Sequence, residues 1–251
     1  MDPSCQFRAF FACLLSLSLI QLSAQTFPVE NTNTGDAYMS IAGAIEAASD
    51  GDVVMLNALT FNETLSIQKP LTLKGDAGGG TVIDIRNTAS WGILLSSSGI
   101  TLENITVLSD ISHEGYGIHS DPGATDITLR NVRVLNNATS GIDLNGLEGP
   151  GTNLIEDCEV VGSSSGFGLA LSSCQNTVVR NFTSSENGFG DIGILESAYT
   201  DKVTQTLTFE GEMKLDGPQG DGLGGIVVQS DTTTVDPAIG INFDIDMQAG
   251  W

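Results

Sequence analysis

The most regular feature of the sequence is a short phrase in which apolar and polar residues alternate around an asparagine. It reads Ile100-Thr-Leu-Glu-Asn-Ile-Thr-Val107 and returns as Ile127-Thr-Leu-Arg-Asn-Val-Arg-Val134. Weaker copies occur at residues 155–160 and 178–183. Alternation with a period of two is typical of a β-strand that buries one face. The phrase therefore predicts a series of short strands.

The strands recur at a nearly constant interval. The anchor residues Asn104, Asn131, Asp157 and Asn181 are separated by 27, 26 and 24 residues. A second phrase, glycine followed by an apolar residue, keeps step with the first, as at Gly92-Ile93. Units of about 25 residues are too short for a propeller blade of about 40, and stacking them buries a continuous core. The pattern predicts an all-β protein, a right-handed parallel β-helix or solenoid, with the polar anchor at a turn.

The segment before the first coil has the pattern of an amphipathic helix. Residues 36–49 place Ile41, Ala44, Ile45 and Ala48 on one face, with Asp36 as the N-cap and Gly51 at the end. We expect a short N-terminal capping α-helix at about 36–50 and coils over about 51–251. Such a helix covers the first open edge of a stack of strands.

These segments resemble the start of a known superfamily. The runs 40–45, 48–53 and 69–75 are similar to the N-terminal cap and first coils of the pectin-lyase-like right-handed parallel β-helix proteins. The resemblance extends over about residues 36–246. It implies the fold, and glycan contact along an outward strand face. It leaves the reaction open, because the superfamily includes polysaccharide lyases, glycoside hydrolases, epimerases, esterases and non-catalytic adhesins.

The two ends of the chain suggest export and an edge that needs covering. Arg8 precedes an apolar run of about 14 residues, short of the roughly 20 that cross a bilayer, and Leu22-Ser-Ala24 is typical of a cleavage site. We predict a signal peptide over residues 1–24, a domain over 25–251, a secreted or cell-surface location and no membrane insertion. Trp251 closely follows the last repeat strand, so we expect further coils or another chain to cover that edge.

Charge restricts the partners. Nine Lys and Arg residues against 31 Asp and Glu residues give a net charge of −22. Such an acidic surface repels nucleic acid and anionic lipid, which bind through Lys and Arg. It also repels a polyuronate unless a divalent cation such as calcium bridges the two. The predicted partner, a polysaccharide or other glycan, follows from the predicted secretion and from what the resemblance implies, and calcium is the one cofactor to consider.

The glycine-apolar phrase predicts which side chains share a face. The inward column is Ile93, Ile118, Ile142, Leu169, Ile194 and Ile226. The next residue in each coil points outward, and the outward column is Leu94, His119, Asp143, Ala170, Leu195 and Val227. Two residues further along lies a second outward column of Ser96, Asp121, Asn145, Ser172, Ser197 and Gln229.

Four polar residues of the two outward columns should form a square on this face: His119, Asp121, Asp143 and Asn145. Coils stack about 4.8 Å apart, and residues i and i+2 of a strand are about 6.6 Å apart. A histidine beside a carboxylate can act as an acid or base, and paired carboxylates can divide those roles or hold calcium. The candidate catalytic residues are His119, Asp121 and Asp143. The candidate substrate-binding residues are Asn145, Tyr116 and His113, the last two from the preceding loop.

Other readings stay open, because these could be ordinary solvent-facing side chains. The Asn-Thr-Asp and Gly-His-Gly motifs of polygalacturonase-like hydrolases are absent, and Asp121-Pro-Gly123 has glycine where the epimerase motif has histidine. Cross-strand pairing with Glu159 accounts for Arg133. Our leading hypothesis is a secreted or surface β-helix that contacts extracellular polysaccharide without an identifiable catalytic signature. The alternatives are a polysaccharide lyase or glycoside hydrolase, and a structural or adhesin module of a longer protein.

Overall fold

A computed structural model describes residues 27–86, 91–112, 115–196, 205–217, 225–229 and 240–245. Within these ranges the chain forms one helix, α1 (Ile41–Ala47), and twenty strands. The strands are β1 (Val29–Asn31), β2 (Asp36–Tyr38), β3 (Asp52–Leu56), β4 (Thr60–Phe61), β5 (Leu65–Ile67), β6 (Leu71–Lys74), β7 (Val82–Asp84), β8 (Ile93–Leu95), β9 (Thr101–Leu108), β10 (Ile118–Ser120), β11 (Thr128–Leu135), β12 (Ile142–Asn145), β13 (Asn153–Glu156), β14 (Glu159–Val161), β15 (Phe167–Ser172), β16 (Thr177–Ser185), β17 (Gly190–Leu195), β18 (Thr206–Leu215), β19 (Ile226–Gln229) and β20 (Gly240–Ile245).

The strands form two long sheets that share one interior. One sheet has seven strands in the order β19-β17-β15-β12-β10-β8-β5, and the other has thirteen. Apart from the antiparallel pairs of β1 with β2 and β3, the strand pairs are parallel and join one coil to the next. This arrangement confirms the predicted parallel β-helix. No helix in the described ranges is long and apolar enough to cross a bilayer.

The interior of the seven-stranded sheet is a file of fully buried aliphatic residues. Ile93 pairs with Ile118, Ile118 with Ile142, and Ile142 with Leu169, as predicted. In the next coil the prediction is wrong by two residues, because Leu169 pairs with Ile192 and Ile194 pairs with Leu171. A slip of two keeps the inward face, so Ile194 is still fully buried. The sequence spacing misled because Asp191 stands where the earlier coils have glycine.

The N-terminal cap contains a hairpin and a helix shorter than predicted. Asp36 begins β2 instead of capping the helix, because Gly35, with φ of 77°, turns the chain back on β1. The N-cap is Ser40, whose hydroxyl accepts from the backbone N–H of Gly43 at 3.1 Å. The carboxylate of Glu63 accepts from the first two helical N–H groups, those of Ile41 and Ala42. The predicted apolar face of α1 is confirmed as buried.

The repeated anchor residues form a ladder at the corner of the thirteen-stranded sheet. Asn104, Asn131, Asp157 and Asn181 all have φ between 50° and 58°, a left-handed conformation that asparagine tolerates better than most residues. Nδ2 of Asn131 donates to Oδ1 of Asn104 at 2.7 Å, and Nδ2 of Asn181 donates to Oδ1 of Asp157 at 3.0 Å. The prediction of a turn is wrong in part, because Asn104, Asn131 and Asn181 lie within strands β9, β11 and β16 and bend them without ending them. The side chains bond mainly to one another.

Beside this ladder a stripe of alternating charge runs along the outer surface. The paired positions are Lys74, Glu103, Arg130, Glu156, Arg180 and Glu210. Glu156 lies in the middle and accepts from Arg130 at 2.8 Å and from Arg180 at 2.7 Å. The predicted Arg133–Glu159 pair is confirmed at 2.5 Å, three residues after Arg130 and Glu156 in the same two coils.

Two groups of polar residues lie inside the solenoid. Oγ of Ser163 and both side-chain polar atoms of Asn137 are buried without a hydrogen-bond partner within the described ranges. Asp191 is fully buried and accepts from Gly217 N at 2.7 Å and Asn187 Nδ2 at 3.2 Å. Burial raises the pKa of Asp191 above its ordinary value despite these bonds.

The two cysteines of the domain are free thiols in the interior. Both Cys158 and Cys174 are buried, and they do not form a disulfide with each other. Burial raises the pKa of each thiol to about 12. They therefore pack as small apolar side chains.

Candidate functional site

The predicted outward column exists on the seven-stranded sheet. Leu94, His119, Asp143 and Ala170 are paired in consecutive coils, as expected. The next member is Gly193, not Leu195, because of the register shift described above. The column thus changes along the solenoid axis from polar at its centre to small and apolar.

His119 and Asp143 form a direct pair across adjacent coils. The Nδ1 atom of His119 lies 2.7 Å from Oδ2 of Asp143, and since a carboxylate only accepts, Nδ1 carries the proton. The side chains are 12% and 10% exposed, so the pair is recessed below the surface. Asp143 therefore fixes the orientation of the ring and leaves Nε2 as the nitrogen that can meet a ligand.

The other half of the predicted square is arranged differently. Asp121 turns towards the preceding coil, where Oδ2 accepts from Oγ of Ser96 at 2.5 Å. Between β10 and β12 the buried hydroxyl of Ser120 accepts from the backbone N–H of Asn145 at 2.8 Å. This contact replaces strand pairing, which ends at His119 and Asp143. The predicted square does not form, because only His119 and Asp143 bond to each other, whereas Asp121 bonds to Ser96.

Asn145 has an unused acceptor at this site. It follows Asp143 by two residues on β12, so its side chain projects from the same face of the strand. The residue is 9% exposed, and its Oδ1 atom is buried with no hydrogen-bond partner in the described part of the chain. An unpaired buried carbonyl oxygen costs about 1–3 kcal/mol, and a donor that reached it after rotation of the side chain would recover that energy.

Aromatic rings surround the histidine. The Tyr116 ring stacks on His119 with centroids 5.0 Å apart and planes at 13°. The Trp91 ring lies 4.9 Å from His119 and is tilted by 40°. Trp91 is 40% exposed. Tyr116 was predicted here, whereas Trp91 was missed, and His113 lies outside the described residues.

A second aromatic pair lies further along the same face. Phe167 and Phe189 meet edge to face with centroids 5.9 Å apart. A Cβ atom added at Gly193 would come within 2.6 Å of Phe167, so the Phe167 ring covers the outward side of that glycine. Phe189 is 51% exposed. We call Trp91, Tyr116, Phe167 and Phe189 the aromatic stripe.

The missing members of the aromatic stripe had a sequence signal. Each of Trp91, Tyr116 and Phe167 stands immediately before the glycine of the glycine-apolar phrase. Glycine at that position lets the chain approach the next coil closely, since a Cβ at Gly117 would lie 2.7 Å from the carbonyl oxygen of Gly141. The aromatic residue before it therefore lies at or just before the start of its strand, at the same edge of the sheet. Extending the phrase by one residue would have found three of the four rings.

The site combines one fixed imidazole with oxygen acceptors and aromatic rings. Within the described ranges no group of three or more His, Cys, Asp or Glu side chains is close enough to hold a metal ion. Asp121 and Asp143, considered as calcium ligands, bond instead to Ser96 and His119. What the site offers is a fixed imidazole, several oxygen acceptors and exposed rings on one face.

Comparison with known proteins agrees with the architecture. A family model described as right handed beta helix region matches residues 40–201. Among solved structures, a pectin methylesterase from Yersinia enterocolitica is 14% identical, with a TM-score of 0.44 over 81% of this chain and 94% of that one. A pectin methylesterase in complex with hexasaccharide VII is 16% identical, with a TM-score of 0.39 over 84% of this chain and 90% of that one. No curated protein matches the sequence.

Proposed function

The chain belongs to the right-handed beta helix family, and we propose that it binds an extracellular polysaccharide on the outward face of the seven-stranded sheet. The leader-like residues 1–24 support a secreted or cell-surface location. The binding face comprises the aromatic stripe together with His119, Asp121, Asp143 and Asn145. The function requires no catalytic step.

The aromatic stripe is the observation that carries this proposal. A sugar ring has one apolar face of C–H groups and a rim of hydroxyls, so it fits a surface that combines exposed rings with hydrogen-bonding side chains. Trp91 and Phe189 are both well exposed, and both lie on the face that carries the polar residues. Large exposed aromatic side chains bury much area at low entropic cost, which is why they dominate binding surfaces.

Removing the exposed tryptophan tests the proposal. A glycan array identifies a ligand, and titration calorimetry then compares wild-type protein with Trp91→Ala. We expect an affinity loss of about two- to twelve-fold, equivalent to about 0.5–1.5 kcal/mol for one ring contact. The matched control is Phe27→Ala, because Phe27 is also aromatic and is 39% exposed but precedes the first strand. Equal losses in both variants, or no bound glycan on the array, would refute the proposal.

The His119–Asp143 bond favours a second candidate function, acid–base cleavage of the bound glycan by a lyase or hydrolase. A histidine whose Nδ1 is held by a carboxylate can accept or donate a proton at Nε2, a step that contributes about 10²–10⁴-fold to a rate. The test incubates the protein with glycans and measures new reducing ends and the ultraviolet absorbance of unsaturated products. We expect His119→Gln and Asp143→Asn each to abolish turnover while glycan binding persists. Turnover that survives both substitutions would rule out this site.

A further inference from the structure

The face that we propose as the glycan site is rich in acceptors and poor in cations. Its described ionisable side chains are His119, Asp121 and Asp143, and Asn145 adds the buried, unpaired Oδ1 acceptor. Asp121 uses Oδ2 to accept from Ser96, and Asp143 uses Oδ2 to accept from His119. A ligand therefore meets oxygen atoms that require donors.

The described cations are engaged elsewhere. Of the nine Lys and Arg residues, all but Arg8 and Lys202 lie in the described ranges. Six of these seven side chains lie on or next to the thirteen-stranded sheet and pair with carboxylates. The pairs are Lys74 with Glu103, Arg86 with Asp84, Arg130 and Arg180 with Glu156, Arg133 with Glu159 and Lys214 with Glu212. Lys69, at the β5 end of the face, donates to the carbonyl oxygens of Glu46 and Ala48 at 3.1 and 2.7 Å.

From these contacts we infer that the ligand of this face is an uncharged glycan, whose hydroxyl groups donate to Asp121, and not a polyuronate. The inference rests on the proposed function and specifies its ligand class. Each uronate carboxylate that comes within about 7 Å of an unscreened aspartate weakens binding about two- to three-fold at low ionic strength. The net charge of −22 adds to that repulsion along the whole chain.

A matched pair of ligands tests the ligand class. A hexamer of a linear oligouronate is compared with the same hexamer after chemical reduction of its carboxyl groups to primary alcohols, both in EDTA to exclude bridging by divalent cations. At about 10 mM ionic strength we expect the neutral hexamer to bind at least about ten-fold more tightly. At about 1 M salt the ratio should fall, because the screening length drops to about 3 Å.

A variant links the discrimination to the site itself. Asp121→Asn keeps the shape and one acceptor oxygen, and we expect it to lower the neutral-to-uronate affinity ratio about two- to three-fold. Asp50→Asn is the control, since it makes the same change in net charge at an exposed turn beside α1, in the N-terminal cap. We expect it to leave the ratio unchanged.

The outcomes separate the ligand class from the function. Tighter binding of the neutral hexamer that depends on Asp121 supports both. Equal or tighter binding of the oligouronate in EDTA overturns the ligand class alone, because glycan binding is then established. If neither hexamer binds and no array glycan binds, the proposed function and the ligand class are overturned together.

Discussion

Glu156 is predicted to contribute to stability about twice as much as its neighbour Glu159. It accepts from Arg130 at 2.8 Å and from Arg180 at 2.7 Å, whereas Glu159 accepts from Arg133 alone. Exposed ion pairs contribute about 0.2–1 kcal/mol each. Because the two guanidinium groups at Glu156 are 42% and 40% exposed, we take the middle of that range and expect Glu156→Gln to lower the free energy of unfolding by about 1 kcal/mol.

The assay is urea unfolding followed by far-ultraviolet circular dichroism, at about 10 mM and about 1 M salt. Glu159→Gln is the matched control, because it removes one carboxylate and one ion pair from the same surface. We expect about half the loss for this variant. Both losses should shrink at high salt, where exposed charges are screened.

The same variant has a pH signature. Arg130 and then Arg180 lower the pKa of Glu156 below its ordinary value of 4.5. A carboxyl group with a lowered folded-state pKa contributes stability above its unfolded pKa and loses it as the pH falls through the folded one. The difference between wild type and Glu156→Gln should therefore be constant above about pH 5.5 and vanish in strong acid. Equal effects of the two variants, or a difference that persists unchanged at about 1 M salt and in acid, would refute this account of the charge stripe.

Three further outcomes follow from the interior and the corner ladder. Asn131→Gly should cost about 0.5–1.5 kcal/mol in urea unfolding by losing the bond to Asn104, and Asn131→Ala about 1–2 kcal/mol more, since alanine is strained at φ of 50°; equal costs would contradict the strain argument. The pKa of Asp191 is raised by burial, so its stabilising effect is full below its unfolded pKa and is lost as the pH rises through the folded one; wild-type stability should fall over that range relative to Asp191→Asn, and parallel pH curves would contradict it. Cys158 and Cys174, with thiol pKa values of about 12, should react with Ellman's reagent at neutral pH only after unfolding, so labelling of native protein would show the burial to be wrong.

The repeat explains why the fold was predictable from sequence. A period of two within each strand and of about 25 between strands leaves few ways to bury Ile93, Ile118 and Ile142, and stacking satisfies both periods at once. The same regularity placed His119 opposite Asp143 without any structural information. Parallel pairing makes equivalent residues of consecutive coils neighbours, because residues in register lie side by side.

The prediction failed where local chemistry overrides the period. Asp191 interrupts the glycine column, so counting glycines shifted Ile194 by two residues. Ser120 inserts its hydroxyl between two strands, and a repeat pattern gives no sign of such a side-chain contact. Ser40 is the helix N-cap in place of Asp36, because Gly35 permits a tight turn that puts Asp36 in a strand. The periodicity of apolar residues does not reveal such a turn.

We expect the solenoid to open first at the boundary between the coil of β10 and β11 and the coil of β12 to β14. In the seven-stranded sheet, strand pairing across this boundary stops after Ile118 and His119. Asn137 and Ser163, one from each coil, both have buried side-chain atoms with no hydrogen-bond partner in the described ranges. A repeat protein unfolds first at the interface between repeats that has the weakest contacts. The His119–Asp143 contact crosses this boundary on the outer face. A ligand that binds residues of both coils would therefore stabilise the boundary. Amide hydrogen exchange on either side of it should become slower when the ligand is bound.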